Sequence, residues 1–390
     1  MYFQIRTQVK NQVKNQIRYP FRYPSLFPKL SLGIITLALS LTGCGSQPTA
    51  TTENAPVSAN PDSVSNPVMT TQDLPRVVVT HSVLCDITKE IAQTTVNLDC
   101  LIEAGTDPHN YQATPEDKRA IEQAKLILYG GYSFEPGLIK MITTSQSPAT
   151  KVAVSEVAVP NPIKAEEHDH SNEAKGDDHD HDHDHEKETA TGEAAKTEKA
   201  AGHDHGEFDP HVWHNAQYGV QMVQVVRDQL KTLSPENADR YTTNAANLTK
   251  KLQAIDTWIK AQVNTIPANQ KKLVTTHESM GYFATAYGIT LNGALQGITT
   301  EEQPTATRVA ALVEDIKATK APTVFPEANV NPGLMQVVAK EAQVKVADTP
   351  IFGDGLGAPG TPGDTYVNLL TSNTCTIVNG LGGKCTPFID

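Results

Sequence analysis

A chain of 390 residues is long enough for two domains. Its formal net charge is −12, with 32 Lys/Arg against 44 Asp/Glu, which excludes nucleic-acid binding by general electrostatics. Beyond the N-terminal segment, nothing is apolar enough to cross a membrane.

Residues 1–43 carry Arg6, Lys10, Lys14, Arg18, Arg22 and Lys29 and no acid. The apolar run from Leu30 to Leu41, broken only by small residues, is too short to span a bilayer. It has the form of an export signal's core. It ends in Leu41-Thr42-Gly43-Cys44, which resembles a bacterial lipobox with Cys44 as the lipidated first residue of the mature chain. The alternative is an ordinary signal peptide followed by a coincidental cysteine. Loss of residues 1–43 removes six positive charges and takes the net charge from −12 to −18. Residues 44–74, rich in Ser, Thr, Asn, Gln and Pro, are expected to form an extended tether.

Order is expected from the buried strand Arg76 to Thr80, followed by a helix over about 84–93 and a strand from Thr95 to Ile102. Thr114-Pro115-Glu116-Asp117 reads as a capped helix start. Strands follow at 125–130 and 151–154, and strand–helix alternation predicts a parallel sheet covered on both faces. Residues 161–207 have almost no large apolar side chain and are expected to be a mobile inserted loop. A helix over about 216–233 precedes a second from Ser234-Pro235 to about Val263, with neither Gly nor Pro after Pro235. Such a helix of about 29 residues would be about 44 Å long, enough to run the height of a two-lobed protein. The alternation resumes with strands at 272–276, 323–325 and 344–347 and helices over about 279–287, 305–318 and 364–378. The α/β class follows, with two lobes, 75–233 and 266–390, each a mostly parallel sheet flanked by helices, joined by one long rigid helix within 234–265.

After Cys44 four cysteines remain: Cys85, Cys100, Cys375 and Cys385. In an exported chain disulfides are expected, with the local pairing Cys85–Cys100 and Cys375–Cys385 preferred among three. No Cys-x-x-Cys spacing supports the rival zinc thiolate site.

Asp-Pro-His occurs twice, at Asp107-Pro108-His109 and Asp209-Pro210-His211. Imidazole suits zinc and its divalent neighbours, and each proline restricts the backbone beside the ring. His277 directly follows a predicted strand, and Asp354 lies in a Gly-rich loop after another. Ligand sites of open α/β sheets gather beyond the carboxyl ends of strands. His109, His211, His277 and Asp354 together form an N3O set that zinc favours. Eight more histidines (His168, His170, His179, His181, His183, His185, His203 and His205) lie in the inserted loop. Their alternation with Asp suits several weak, exchanging sites, and the alternative is a solvated acidic loop. His81 is expected as a supporting donor, and His214 is expected to face away. Trp213 is expected to pack under the metal loop, and Glu327 and Asn331 to line the lobe interface without clear chemistry.

These segments, Thr106-Asp107-Pro108-His109-Asn110-Tyr111, Phe208-Asp209-Pro210-His211-Val212-Trp213 and Val274-Thr275-Thr276-His277 leading to Gly281-Tyr282-Phe283, resemble the cluster A-I substrate-binding proteins of ABC importers for zinc or manganese. The resemblance covers Arg76 to the C-terminus apart from the loop. It implies metal held between two α/β lobes, His109 and His211 as first-lobe ligands, and a zinc-type (ZnuA-like) site because His277 stands where manganese-type members have Glu. Asp354 matches the family's final aspartate, with Asp348 and Asp364 as fallbacks because glycines surround Asp354. It further implies an ABC permease as partner, a lipid anchor in the membrane and a monomer with no enzymatic activity. The His-rich loop would collect or sense metal. Alternatives are a manganese-binding member of the same family and a surface metal-buffering or adhesion lipoprotein. A zinc hydrolase is a further one, since His277-Glu278 resembles the start of a His-Glu-x-x-His helix. Position 281 is Gly, however, so the second histidine is missing.

Overall fold

The computed structural model describes residues 74–165, 207–301 and 303–389. The expected export signal, Cys44, most of the tether and all eight histidines of the inserted loop lie outside the described residues.

The first lobe holds four parallel strands in the order β2-β1-β3-β4: β1 (Arg76–Val79), β2 (Asn97–Cys100), β3 (Leu126–Tyr129) and β4 (Thr150–Ala153). Strand periodicity divides their side chains between two cores. Val77, Val79, Leu126 and Leu128 enter one, and Val78 and Ile127 enter the other. Crossover helices cover both faces, as a parallel sheet requires. They are α1 (Ser82–Ala92), α2 (Pro115–Gln123), α3 (Pro136–Thr144) and the short α4 (Val154–Ala158). The start of α2 is a full capping box: Thr114 Oγ1 accepts the Asp117 N–H, and the Asp117 carboxylate accepts the Thr114 N–H. Helix α1 begins at Ser82, directly after His81, two residues earlier than expected. After β4, Ile163 to Ala165 run antiparallel to Glu207–Asp209, so the two ends of the inserted loop meet in a paired neck beside the second Asp-Pro-His.

Helix α5 (Ala216–Leu233) is capped by Asn215, whose side chain accepts the Gln217 N–H. The next helix does not run unbroken from Ser234. A short 3-10 turn, Pro235–Asn237, closed by the Asn237 N–H donating to the Ser234 carbonyl at 3.0 Å, precedes α6 (Ala238–Val263). Helix α6 buries Tyr241, Ala245, Leu248, Leu252, Ile255 and Ile259, one apolar stripe at three- and four-residue spacing. That stripe belongs to a single core that also contains Val79 of the first lobe and Leu273 and Phe325 of the second. Each such fully buried aliphatic side chain contributes roughly 1.5–3 kcal/mol, so the helix is welded to both lobes.

The second lobe contains β5 (Lys272–Thr275) paired in parallel with β6 (Thr290–Ala294), and β7 (Thr323–Val324) paired in parallel with β8 (Lys345–Val346). A parallel bridge between Thr275 and Phe325 joins the two ribbons. Around them lie α7 (Gly281–Tyr287), α8 (Ala306–Thr319), α9 (Gly333–Ala342) and α10 (Tyr366–Gly380). The structure contains the disulfides Cys85–Cys100 and Cys375–Cys385, the preferred pairing. Among the described residues, no helix is long and apolar enough to cross a membrane.

Candidate metal centre

The two Asp-Pro-His triplets fold alike. In each, an aspartate oxygen accepts the backbone N–H of the histidine two positions on, at 3.0 Å for Asp107 and His109 and 2.9 Å for Asp209 and His211. The intervening proline offers no competing N–H, so each triplet is a short self-closing turn that presents an imidazole. His277 follows β5 and Asp354 follows Ile351, whose backbone pairs with Glu327.

These turns bring His109, His211, His277 and Asp354 together, with one donor atom of each within 4.8 Å of all the others. All four are buried. Asp354 Oδ1 lies 2.9 Å from His277 Nε2, 3.1 Å from His211 Nε2 and 3.3 Å from His109 Nε2. The fallback aspartates lie elsewhere: Asp348 is exposed, and Asp364 accepts from Gly360 N–H and the Asn368 amide.

The three rings are supported unequally. His211 Nδ1 is 2.8 Å from Asp209 Oδ1, and His277 Nδ1 is 2.5 Å from Glu327 Oε2. Asp209 accepts a hydrogen bond from His211 Nδ1, and Glu327 faces His277 Nδ1 as a close ion pair outside hydrogen-bond geometry. Since a carboxylate can only accept, both favour the proton on Nδ1 and leave the Nε2 lone pair free for an ion. His109 Nδ1 has no hydrogen-bond partner among the described residues. Its aspartate turns outward, to the Asn110 amide and the Thr300 hydroxyl. Glu327 therefore has definite chemistry, contrary to the sequence expectation. It also accepts the His277 backbone N–H at 3.1 Å, and the two residues lock each other. Asn331 sits outside the site and accepts the Gly333 N–H at the start of α9.

Electrostatics follow from this packing. Burial alone would push the His277 imidazole down, but the carboxylates of Asp354 and Glu327 outweigh it and hold it well above the ordinary value. His211 is raised in the same way, by Asp209 and Asp354 against burial. Burial would raise Asp354, but His277 and His109 outweigh it and hold its carboxyl well below the usual range. An arriving dication thus meets a preformed anionic oxygen among three inward-facing nitrogens.

His214 takes no place among the four, yet it does not turn away from the site. Its Nε2 donates to the Gly353 carbonyl at 2.8 Å, fixing the backbone beside Asp354, while burial lowers its pKa to about 3 and keeps it neutral. His81, also lowered to about 3 by burial, packs against Phe134 and Trp213 without reaching the four donor atoms. Trp213 lies under the second triplet as expected, 5.5 Å from the His211 ring. Phe134 faces both His109 and His211, and no sequence signal points to it. Asn329, likewise without a sequence signal, donates from Nδ2 to Asp354 Oδ2 at 2.7 Å.

The glycines around Asp354 also find their cause. A Cβ on Gly353 would lie 2.5 Å from Glu327 Oε2, and one on Gly355 would lie 2.7 Å from Ser82 Oγ. The loop lacks side chains because supporting groups fill that space.

Residues 77–380 match the family model of the zinc-uptake complex component A, periplasmic (ZnuA). The chain is 32% identical over 307 residues to the metal ABC transporter substrate-binding lipoprotein FimA of Streptococcus parasanguinis, covering 78% of this chain and 89% of that protein. It is 31% identical over 312 residues to the manganese ABC transporter substrate-binding lipoprotein PsaA of Streptococcus mitis, with the same coverage of 78% and 89%. Among solved structures it is similar to the periplasmic zinc-binding protein TroA of Treponema pallidum, with a TM-score of 0.64 and 28% identity over 79% of this chain and 99% of that one. By fold, by the arrangement of its buried donors and by these matches, the chain belongs to the ZnuA family of metal-binding substrate-binding proteins of ABC transporters.

Proposed function

We propose that the protein captures Zn2+ between its lobes and delivers it to the permease of an ABC importer. The observation that carries this is the convergence of three imidazole nitrogens and one carboxylate oxygen in a buried space. Zinc takes four-coordinate N/O sets readily, whereas manganese favours more donors and more oxygen. His277 gives the site its third nitrogen and removes the second anionic oxygen that a carboxylate there would supply. The relative PsaA is named for manganese and TroA for zinc, so the choice between the two metals falls on this chain's own residues.

In this reading Cys44 carries a lipid that holds the protein at the outer face of the plasma membrane, and residues 44–74 tether the lobes near the permease. Residues 75–233 and 266–390 are the two lobes and 234–265 the connector. The eight loop histidines collect zinc for the buried site, their loop ending beside Asp209-Pro210-His211. The monomer is the acting unit, and four protein ligands leave no open position for a hydrolytic water.

The test is a competition titration of the mature protein, with residues 166–206 deleted, against a chromophoric chelator. One zinc bound far more tightly than micromolar, lost in Asp354→Ala, is the expected result. A micromolar or weaker site would sink the proposal. A metal buffer predicts a growth defect of the deletion strain in excess zinc, and an importer predicts one in scarcity.

A further inference from the structure

We propose that Asn329 sets the metal preference of this site by holding one oxygen of Asp354 away from the ion. The proposal rests on the zinc reading above and deepens it. Asp354 Oδ1 is the oxygen that faces all three imidazoles, at 2.9, 3.1 and 3.3 Å. Its other oxygen, Oδ2, lies 2.7 Å from Asn329 Nδ2. Since the carboxylate is an acceptor, the amide must present its N–H to it. An oxygen engaged in that bond is turned to the amide and not to the ion, so the carboxylate contributes one donor.

The amide is itself held in place. Asn329 lies two residues after Glu327, on the segment following β7 whose backbone pairs with Ile351: Glu327 bridges Ile351 and the Ala328 N–H donates to the Ile351 carbonyl at 2.9 Å. Ile351 leads into Asp354, so donor and acceptor ride on paired backbone. From the first lobe, His214 pins the Gly353 carbonyl at 2.8 Å and resists rotation of the loop. One short segment thereby orients both second-lobe ligands, Glu327 acting on His277 and Asn329 on Asp354.

The consequence is a limit on donor number. Each imidazole supplies one nitrogen and Asp354 one oxygen, a closed set of four. That satisfies zinc and leaves manganese short of the five or six donors, several of them oxygen, that it prefers. Releasing Oδ2 would add a fifth donor without adding a residue. Asn329 is therefore a positioning residue that acts through Asp354.

The experiment uses the mature protein loaded with one equivalent of Co2+, whose visible absorption is intense in a four-coordinate site and weak in a five- or six-coordinate one. Wild type is compared with Asn329→Ala and Asn329→Leu, the latter similar in size but without a donor. Asn329 is half-buried, and thermal melts of the metal-free variants check that both fold. The expected result is a four-coordinate spectrum in wild type and a weakened one in both variants. Zinc affinity falls about tenfold and manganese affinity does not fall, so the zinc-to-manganese ratio drops by at least that factor. A four-coordinate spectrum retained in Asn329→Leu, or equal losses for both metals, would reduce Asn329 to general support and overturn the proposal. The underlying ligand assignment fails by a different sign: a wild-type cobalt spectrum that is not four-coordinate, or one unchanged in Asp354→Ala.

Discussion

Glu327→Gln removes a single charge and changes almost no volume, yet the geometry leaves the glutamine no good arrangement. Glu327 offers acceptors in two directions, Oε1 to the His277 backbone N–H at 3.1 Å and Oε2 to His277 Nδ1 at 2.5 Å. Glutamine has one acceptor and one donor. If its oxygen keeps the backbone N–H, its NH2 faces Nδ1, and the imidazole proton is driven to Nε2, the atom that must bind the ion. If the amide is reversed, its NH2 opposes the backbone N–H. Carboxylates behind metal-bound histidines are typically worth 10–100-fold in affinity, or about 1.4–2.7 kcal/mol. We expect zinc affinity to fall within that range, measured by chelator competition at pH 7. His277 also loses one of the carboxylates that hold its imidazole up. In the metal-free variant its imidazole should therefore titrate lower, by NMR, than in wild type. Zinc binding within twofold of wild type would refute the argument that Glu327 fixes the tautomer.

Three further outcomes follow from the same structure. His277→Glu brings a carboxylate against Glu327; we expect it to lose zinc outright, and the double variant with Glu327→Gln to bind metal again with manganese favoured relative to zinc, as read by competition between the two ions. Glu135 is fully buried, with Thr80 Oγ1 at 2.6 Å and Gly130 N–H at 2.7 Å, and burial raises its carboxyl from 4.5 to about 7. Below 4.5 it is neutral in both folded and unfolded chains. As pH rises from 4.5 to about 7 the unfolded chain ionises first, which lowers stability by about 1.4 kcal/mol per pH unit, about 3 kcal/mol in all, with no further change above that. Glu135→Gln should therefore gain stability over wild type between pH 5 and 8 in chelator-treated samples, and a pH-independent difference in melting temperature would count against it. Gly353→Ala drives a Cβ into Glu327 and Ser279 Oγ, and should cost about 1–3 kcal/mol of stability and weaken zinc binding, measured by melting and titration.

Much of this molecule is written in local chemistry. Helix α5 occupies the expected 216–233 because its cap and its apolar spacing agree, and β1 is a valine run that only a buried strand explains. The four donor residues of the candidate site were legible because Asp-Pro-His is repeated and because His277 and Asp354 follow predicted strands, where open α/β sheets gather ligand sites. Where the sequence is silent, the signal is long-range or contradictory. Helix α9 opens on Pro332-Gly333, a pair that favours a turn, and is held by burying Met335, Val338 and Ala339. Strand β6 is half-exposed and carries Gly293 at φ 110°, so it has no alternation to read. Asn329 and Phe134 are ordinary residues until the fold sets one against Asp354 and the other against His109. Glu327 was visible as an acid near the interface, but its role exists only because a bridge pairs its segment with Ile351.

The lobes are linked unevenly around the four ligands, and this bears on release. On one side the loop after Asp354 is strapped to the first lobe. Leu356 N–H donates to Ser82 Oγ at 2.9 Å, Gly105 N–H to the Leu356 carbonyl at 2.8 Å, Tyr366 N–H to Asp86 at 2.8 Å and the Tyr366 hydroxyl to the Trp213 carbonyl at 2.7 Å. Beside the second triplet the Tyr282 hydroxyl donates to the Asp209 carbonyl at 3.1 Å and accepts the Ile163 N–H at 3.0 Å, whereas beside the first triplet the described link is Thr300, which donates to Asp107 and accepts from the Asn110 amide at 2.9 Å. Asp107 is the aspartate of the first triplet, and its turn presents His109, the one ring without a carboxylate on Nδ1. The lobes should therefore part first at Thr300, with His109 the first ligand to let go. Thr300→Val removes both bonds while leaving Asp107 its contacts within the turn. A hydrogen bond to a charged group is worth about 1.5–3 kcal/mol, so the closed state should weaken enough to speed zinc dissociation about tenfold or more, with association little changed. Stopped-flow mixing of the zinc-loaded protein with excess chelator measures that rate. A dissociation rate equal to wild type would refute an opening that begins at Thr300.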